Sequence, residues 1–141
     1  MRLADLKVEP WNSIVYAKLT GDVDMSNANE LRVDLSAMTP NDALGLVFDL
    51  SEVGYLDSAG IHLVHRLRED LRARGQRLKL VIPPDSLIKD TLRLAGLDWG
   101  EDIAATADAA GPPPFSARLP GTAAPVRYAA AWRKSTKKAS G

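Results

Sequence analysis

Ser58 lies in the run Tyr55-Leu56-Asp57-Ser58-Ala59-Gly60, where an apolar segment hands over to an amphipathic one. A serine at such a junction admits several chemistries. As a nucleophile it needs a base within hydrogen-bond reach and a third group to orient that base. His62 follows one helical turn later and is a conceivable base, but the sequence offers it no orienting partner and lacks the G-x-S-x-G elbow. As a helix cap, the Ser58 hydroxyl accepts a bond from the backbone N–H of Gly60 or Ile61, worth about 1 kcal/mol. A helix start also carries a positive field and unpaired N–H donors, so it accommodates a phosphate added to Ser58. Such a phosphate brings up to about two negative charges beside Asp57, and near Asp24 where the loops converge.

The remaining candidates are weaker. His62 and His65 stand three apart on one expected helix, but no HExxH or Cys/His spacing supplies further ligands, and cysteine is absent. They read as partly exposed helix residues. Asp22 and Asp24 resemble a carboxylate pair, yet in a loop after a strand they read as a solvated acidic patch. Neither G-x-x-x-x-G-K-[ST] nor G-x-G-x-x-G occurs. No cofactor or metal is expected on this chain.

The elements that must hold these residues follow from hydrophobic period. Alternation over Ser13–Leu19 predicts a strand with Val15, Ala17 and Leu19 on one face, preceded by an edge strand with Leu3, Leu6 and Val8. Thr20-Gly21-Asp22 reads as an exit loop. Asn27 and Glu30 resemble a capping box, and Ala28, Leu31, Leu35 and Met38 form a helical stripe ended by Thr39-Pro40. Leu44 to Leu50 predicts a buried central strand. After Ser58, Gly60, Leu63, Val64, Leu67 and Leu71 share one helix face, with Gly75 as the stop. Leu78–Ile82 is a further strand. Ser86 or Asp85 then caps a helix with Leu87, Ile88, Leu92 and Ala95, and Gly96-Leu97 suits a Schellman ending. Trp99 to Ala110 has room for a short strand and a short helix. The strand–helix alternation implies parallel pairing, and so an α/β single domain with a four- to five-stranded mixed sheet and helices mainly on one face.

Composition bounds the function. The chain has 141 residues, enough for one domain. Its net charge of zero is divided: residues 1–110 hold twelve Lys and Arg against eighteen Asp and Glu, a net of −6, and residues 111–141 hold six basic residues and no acid. We expect an acidic domain over 1–110 that does not bind nucleic acid directly, and a Pro/Ala/Lys-rich basic tail over 111–141 that is mostly disordered. No stretch reaches the roughly 20 apolar residues of a membrane span, and the N-terminal MRLADLKVEP has no apolar h-region. The chain reads as cytoplasmic.

Taken in order, these pieces resemble the STAS domain, and within it the bacterial anti-sigma factor antagonists. Leu19-Thr20-Gly21-Asp22-Val23-Asp24 is similar to the family's strand ending in Gly-Glu-Leu-Asp, and Val47–Val53 continues the match. Tyr55–Ile61 resembles its Asp-Ser-Ser/Thr-Gly-Leu, and Leu94-Ala95-Gly96-Leu97 its closing Gly-Leu element. The resemblance covers roughly residues 10–105 and implies partner switching. An unphosphorylated antagonist binds an anti-sigma factor of the serine-kinase type, which brings ATP and magnesium, and so frees a sigma factor. Phosphorylation of the serine after the Asp, here Ser58, ends the complex, and a phosphatase resets it. The implied partner surface comprises Asp22, Asp24, Asp57, Ser58, Ala59, Gly60 and His62, and the chain is a kinase substrate rather than an enzyme. Ala59 departs from the usual second Ser or Thr and leaves Ser58 as the one hydroxyl in the motif. His62 stands where a small residue is common. The rival expectations are a STAS scaffold or accessory subunit in another assembly, stressosome-like or lipid-transport, and an enzyme using Ser58 and His62.

Overall fold

The computed structural model describes residues 4–11, 13–97, 99–106 and Ala110; the expected basic tail lies outside the described residues. Five strands form one sheet in chain order: β1 (Ala4–Trp11), β2 (Ile14–Val23), β3 (Gly45–Leu56), β4 (Arg77–Val81) and β5 (Ile103–Ala104). β1 and β2 pair antiparallel, with Trp11 opposite Ile14, and all later pairs are parallel. Each parallel connection contains a helix: α1 (Ala28–Met38), α2 (Ser58–Arg72) and α3 (Lys89–Leu94). The expected mixed α/β sheet is therefore present, with five strands.

Alternation along the strands divides the apolar residues between two faces. Val15, Ala17, Leu19, Leu46, Phe48, Leu50 and Leu80 pack with Leu31 and Leu35 of α1, Leu63, Val64, Leu67 and Leu71 of α2, and Leu92 of α3. Each fully buried leucine contributes about 1.5–3 kcal/mol relative to exposure. On the other face Ile14, Tyr16, Val47, Val81, Ala104 and Ala110 form a smaller cluster. No helix from α1 to α3 contributes to it. Within it the Tyr16 hydroxyl donates to buried Asp49, whose other oxygen accepts from Ser51 N at 2.9 Å. Burial first, and then the bond to Asp49, push the Tyr16 phenol well above its ordinary range.

Two irregularities extend the sheet beyond the expected strand ends. The β2–β3 register shifts between Lys18 and Thr20 and again between Gly21 and Asp22. Thr20-Gly21-Asp22 is thus strand, not exit loop. The long β3 keeps offering it partners, and Gly21 takes the positive φ of 112° that an irregular strand admits at glycine. Each shift also resets which residues point inward, so the buried series Leu46, Phe48, Leu50 continues as Val53 and then Leu56.

Other local expectations are corrected by side-chain geometry. Asn27 precedes α1 but its side chain makes no cap bond; it is held instead by the preceding loop. Met38 is 47% exposed and leaves the helical stripe. Leu87 precedes α3 and is 82% exposed. The glycine stops agree with expectation. Gly75 and Gly96 have positive φ, with Gln76 N on Leu71 O at 2.8 Å and Leu97 N on Leu92 O at 2.9 Å, the long bond of a Schellman ending. The short β5 is held by more than its ladder: Arg77 Nε donates to Asp102 Oδ1 at 2.5 Å, and Arg68 pairs with Asp102 at 3.7 Å while lying 4.1 Å over the Trp99 ring.

Candidate functional site

The parallel β2–β3 pair fixes the site. Its last partners are Val23 and Leu56, and Asp57 N reaches Val23 O at 3.3 Å. Asp24 and Asp57 therefore leave adjacent strand ends side by side, and the loops that carry them converge. Asp22 lies one step back, opposite Tyr55.

The loop after β2 closes on itself. Asp24 Oδ1 accepts from Ser26 N at 2.8 Å and from Ser26 Oγ at 2.5 Å, and these bonds hold its carboxyl below the usual value. Asn27 Oδ1 accepts from Asp24 N at 3.1 Å, and Asn27 Nδ2 donates to Asp22 O at 3.0 Å. The loop thus presents Met25, which is 85% exposed, at its tip.

Asp57, not Ser58, caps α2. Its Oδ1 accepts from Ala59 N at 2.9 Å and Gly60 N at 3.3 Å, and its backbone is extended. A carboxylate suits this position because it also meets the positive end of the helix. Ser58 becomes the first helical residue, exposed, with no hydrogen bond to its hydroxyl among the described residues. Gly60 is buried for a reason the sequence does not give: a Cβ there would lie 2.6 Å from Leu56 Cγ and 3.1 Å from Val23 Cγ1. Its absence lets α2 settle onto the strand ends that carry Asp24 and Asp57.

The two histidines part company. His65 meets Trp99 edge-on at 6.2 Å between ring centroids. His62 is exposed and lines a groove of about 420 Å³ between the first turns of α1 and α2. Met25, Ala28 and Leu63 supply apolar lining, and Arg32 and Arg66 join His62 as basic groups. Arg32 is tied to Asp70 at 2.7 Å. Among the described residues no cluster of three His, Cys, Asp or Glu side chains could hold a metal ion. Sequence reasoning missed Met25, Arg32 and Arg66. Only a methionine in a polar loop hinted at the first, and the arginines come together through α1–α2 packing.

Comparisons with known proteins agree with this architecture. The family model described as Mlab, STAS domain matches residues 15–100. The chain is similar to a crystal structure of an anti-sigma factor antagonist from Mycobacterium paratuberculosis, at 25% identity and TM-score 0.66, over 76% of this chain and 90% of that one. It is also similar to the anti-sigma factor antagonist SpoIIAA of Bacillus in its unphosphorylated form, at 21% identity and TM-score 0.61, over 75% of this chain and 92% of that one. A sulfate transporter family protein from Wolinella succinogenes shares the fold at 20% identity and TM-score 0.59, over 74% and 85% of the two chains. No curated protein matches the chain. No described helix is long and apolar enough to cross a membrane.

Proposed function

We propose that this chain, which belongs to the Mlab, STAS domain family, acts as an anti-sigma factor antagonist switched by phosphorylation at Ser58. One observation carries the reading: Asp57 takes over the cap, and the Ser58 hydroxyl is left exposed and unbonded among the described residues at the start of the long α2. Modifying that hydroxyl breaks no hydrogen bond among the described residues. It adds up to about two negative charges beside Asp57 and Asp24. The likeness to an antagonist at 25% identity supports the same reading.

In the unmodified state, Met25, Asp22, Asp24, Asp57, Ser58, Ala59 and His62 offer one continuous surface to an anti-sigma factor of the serine-kinase type, with Gly60 beneath them setting the height of α2. The partner supplies ATP and magnesium. Ser58 Oγ attacks the γ-phosphorus, the bond to the β-phosphate oxygen breaks, ADP leaves and the hydroxyl proton passes to a base on the kinase. The added charge then repels the surface that bound, and a phosphatase restores it. In this reading the chain itself is a substrate: the Asp57 carboxylate is engaged by backbone N–H groups and His65 packs against Trp99, so neither is spent on orienting His62. This reading puts the switch in a cytoplasmic domain over 1–110, with the basic tail over 111–141 outside it.

The test is incubation with the cognate anti-sigma kinase and ATP, read by intact mass. One phosphate on the wild-type chain and none on Ser58→Ala is expected; equal gain by both would remove Ser58 as the acceptor. A second reading, a scaffold or accessory subunit of another assembly without sigma control, draws on the likeness to a transporter-family protein. Co-purification separates the two, recovering an anti-sigma kinase in one case and transport components in the other.

A further inference from the structure

We propose that His62 holds the phosphate of phosphorylated Ser58, so that the modified state is anchored within its own helix. This rests on Ser58 being the acceptor. Ser58 and His62 are i and i+4 on α2, which puts their Cβ atoms about 5–6 Å apart. Helical side chains lean toward the N-terminus, which carries the His62 ring back over the turn containing Ser58 and Ala59. Ala59 and His62 indeed line the same groove.

Three of the N–H groups that could bind an anion at this helix start are already engaged. The N–H groups of Ala59 and Gly60 are bonded to the Asp57 carboxylate, and Ile61 N is on Asp57 O at 3.0 Å. A phosphate on Ser58 must find its counter-charge in side chains. On the strand side it meets the carboxylates of Asp57 and Asp24, which repel it. On the groove side it meets His62, with Arg66 one turn further and Asn29 and Arg32 across on α1. Arg32 is engaged by Asp70, whereas Arg66 forms no ion pair among the described residues. The balance of charge turns the phosphate toward the groove, and His62 is the basic group within one helical turn of it.

The pairing has a signature in the phosphate itself. An imidazolium beside the phosphate favours the dianion, so the second ionisation of phosphoserine, ordinarily near pH ~6, moves down. Phosphoserine installed at position 58 by genetic encoding makes the measurement independent of any kinase, so failure of the phosphotransfer test and failure of this inference are separate results. A ³¹P NMR titration is then run on the wild-type chain and on His62→Gln, whose exposed position leaves the fold intact. The midpoint is expected to lie about 0.2–0.4 pH unit lower in wild type, the size of an exposed i, i+4 pair for the one charge that the second ionisation adds. Midpoints that coincide within about 0.1 unit would overturn the proposal.

Discussion

Asp57→Ala tests the local physics on which the site depends. The substitution removes the acceptor of two N–H bonds, at 2.9 Å from Ala59 and 3.3 Å from Gly60, and a negative charge from the start of α2. Loss of an N-cap side chain costs about 1 kcal/mol, and loss of the favourable charge about 0.3–1 kcal/mol more. Asp57 is only half-buried, which keeps the electrostatic part at the lower end. The sum is about 1.5 kcal/mol, or a fall in Tm of roughly 5–9 °C for a domain of this size. Urea denaturation followed by circular dichroism measures it as a lower midpoint at unchanged slope. Asp57→Asn separates the parts, because asparagine caps as well as aspartate and loses only the charge. Ser58→Ala is the internal control: an exposed residue with no cap bond should change stability by less than about 0.5 kcal/mol. If Ser58→Ala cost as much as Asp57→Ala, the hydroxyl would be the cap, and the argument that it is free for modification would fail.

Gly60→Ala sets about 1 kcal/mol of gained helix propensity against a Cβ that would stand 2.6 Å from Leu56 Cγ, so a net loss of about 1 kcal/mol is expected by urea denaturation; a more stable variant would mean the strand ends yield easily. Tyr16 gives an alkaline signature. Because its folded pKa is raised, the contribution is complete below the unfolded value of about 10 and is lost as pH rises from there toward the folded value. Stability measured from pH 9 to 11.5 should therefore fall in wild type, and Tyr16→Phe should remove that part of the slope while costing about 1–3 kcal/mol at neutral pH by leaving a buried Asp49 oxygen without this donor. A slope unchanged by the substitution would refute the assignment.

The sequence carried those features that depend on period and on glycine. Val15, Ala17 and Leu19 share a buried face, Leu63 to Leu71 line the core side of α2, and Gly96-Leu97 closes α3 as its residue types require. It misled where a partner overrides a local signal. Thr20-Gly21-Asp22 has turn composition, but a strand as long as β3 continues to pair with it through two register shifts. It also misled where two good caps stand together: Asp57 and Ser58 are both cap formers, and only the extended backbone at Asp57 decides between them. The groove is the product of tertiary packing. Arg32 comes from α1 and Arg66 from α2, and nothing in either segment announces the other.

The central claim is that one phosphate on Ser58 changes what the surface binds. It is tested most directly by titrating the anti-sigma partner, by calorimetry at fixed salt, against the unmodified chain and against the chain carrying phosphoserine at position 58. Binding of the unmodified chain and at least a tenfold weaker affinity for the phosphorylated one are predicted, a difference of about 1.4 kcal/mol or more. Equal affinities would contradict the account.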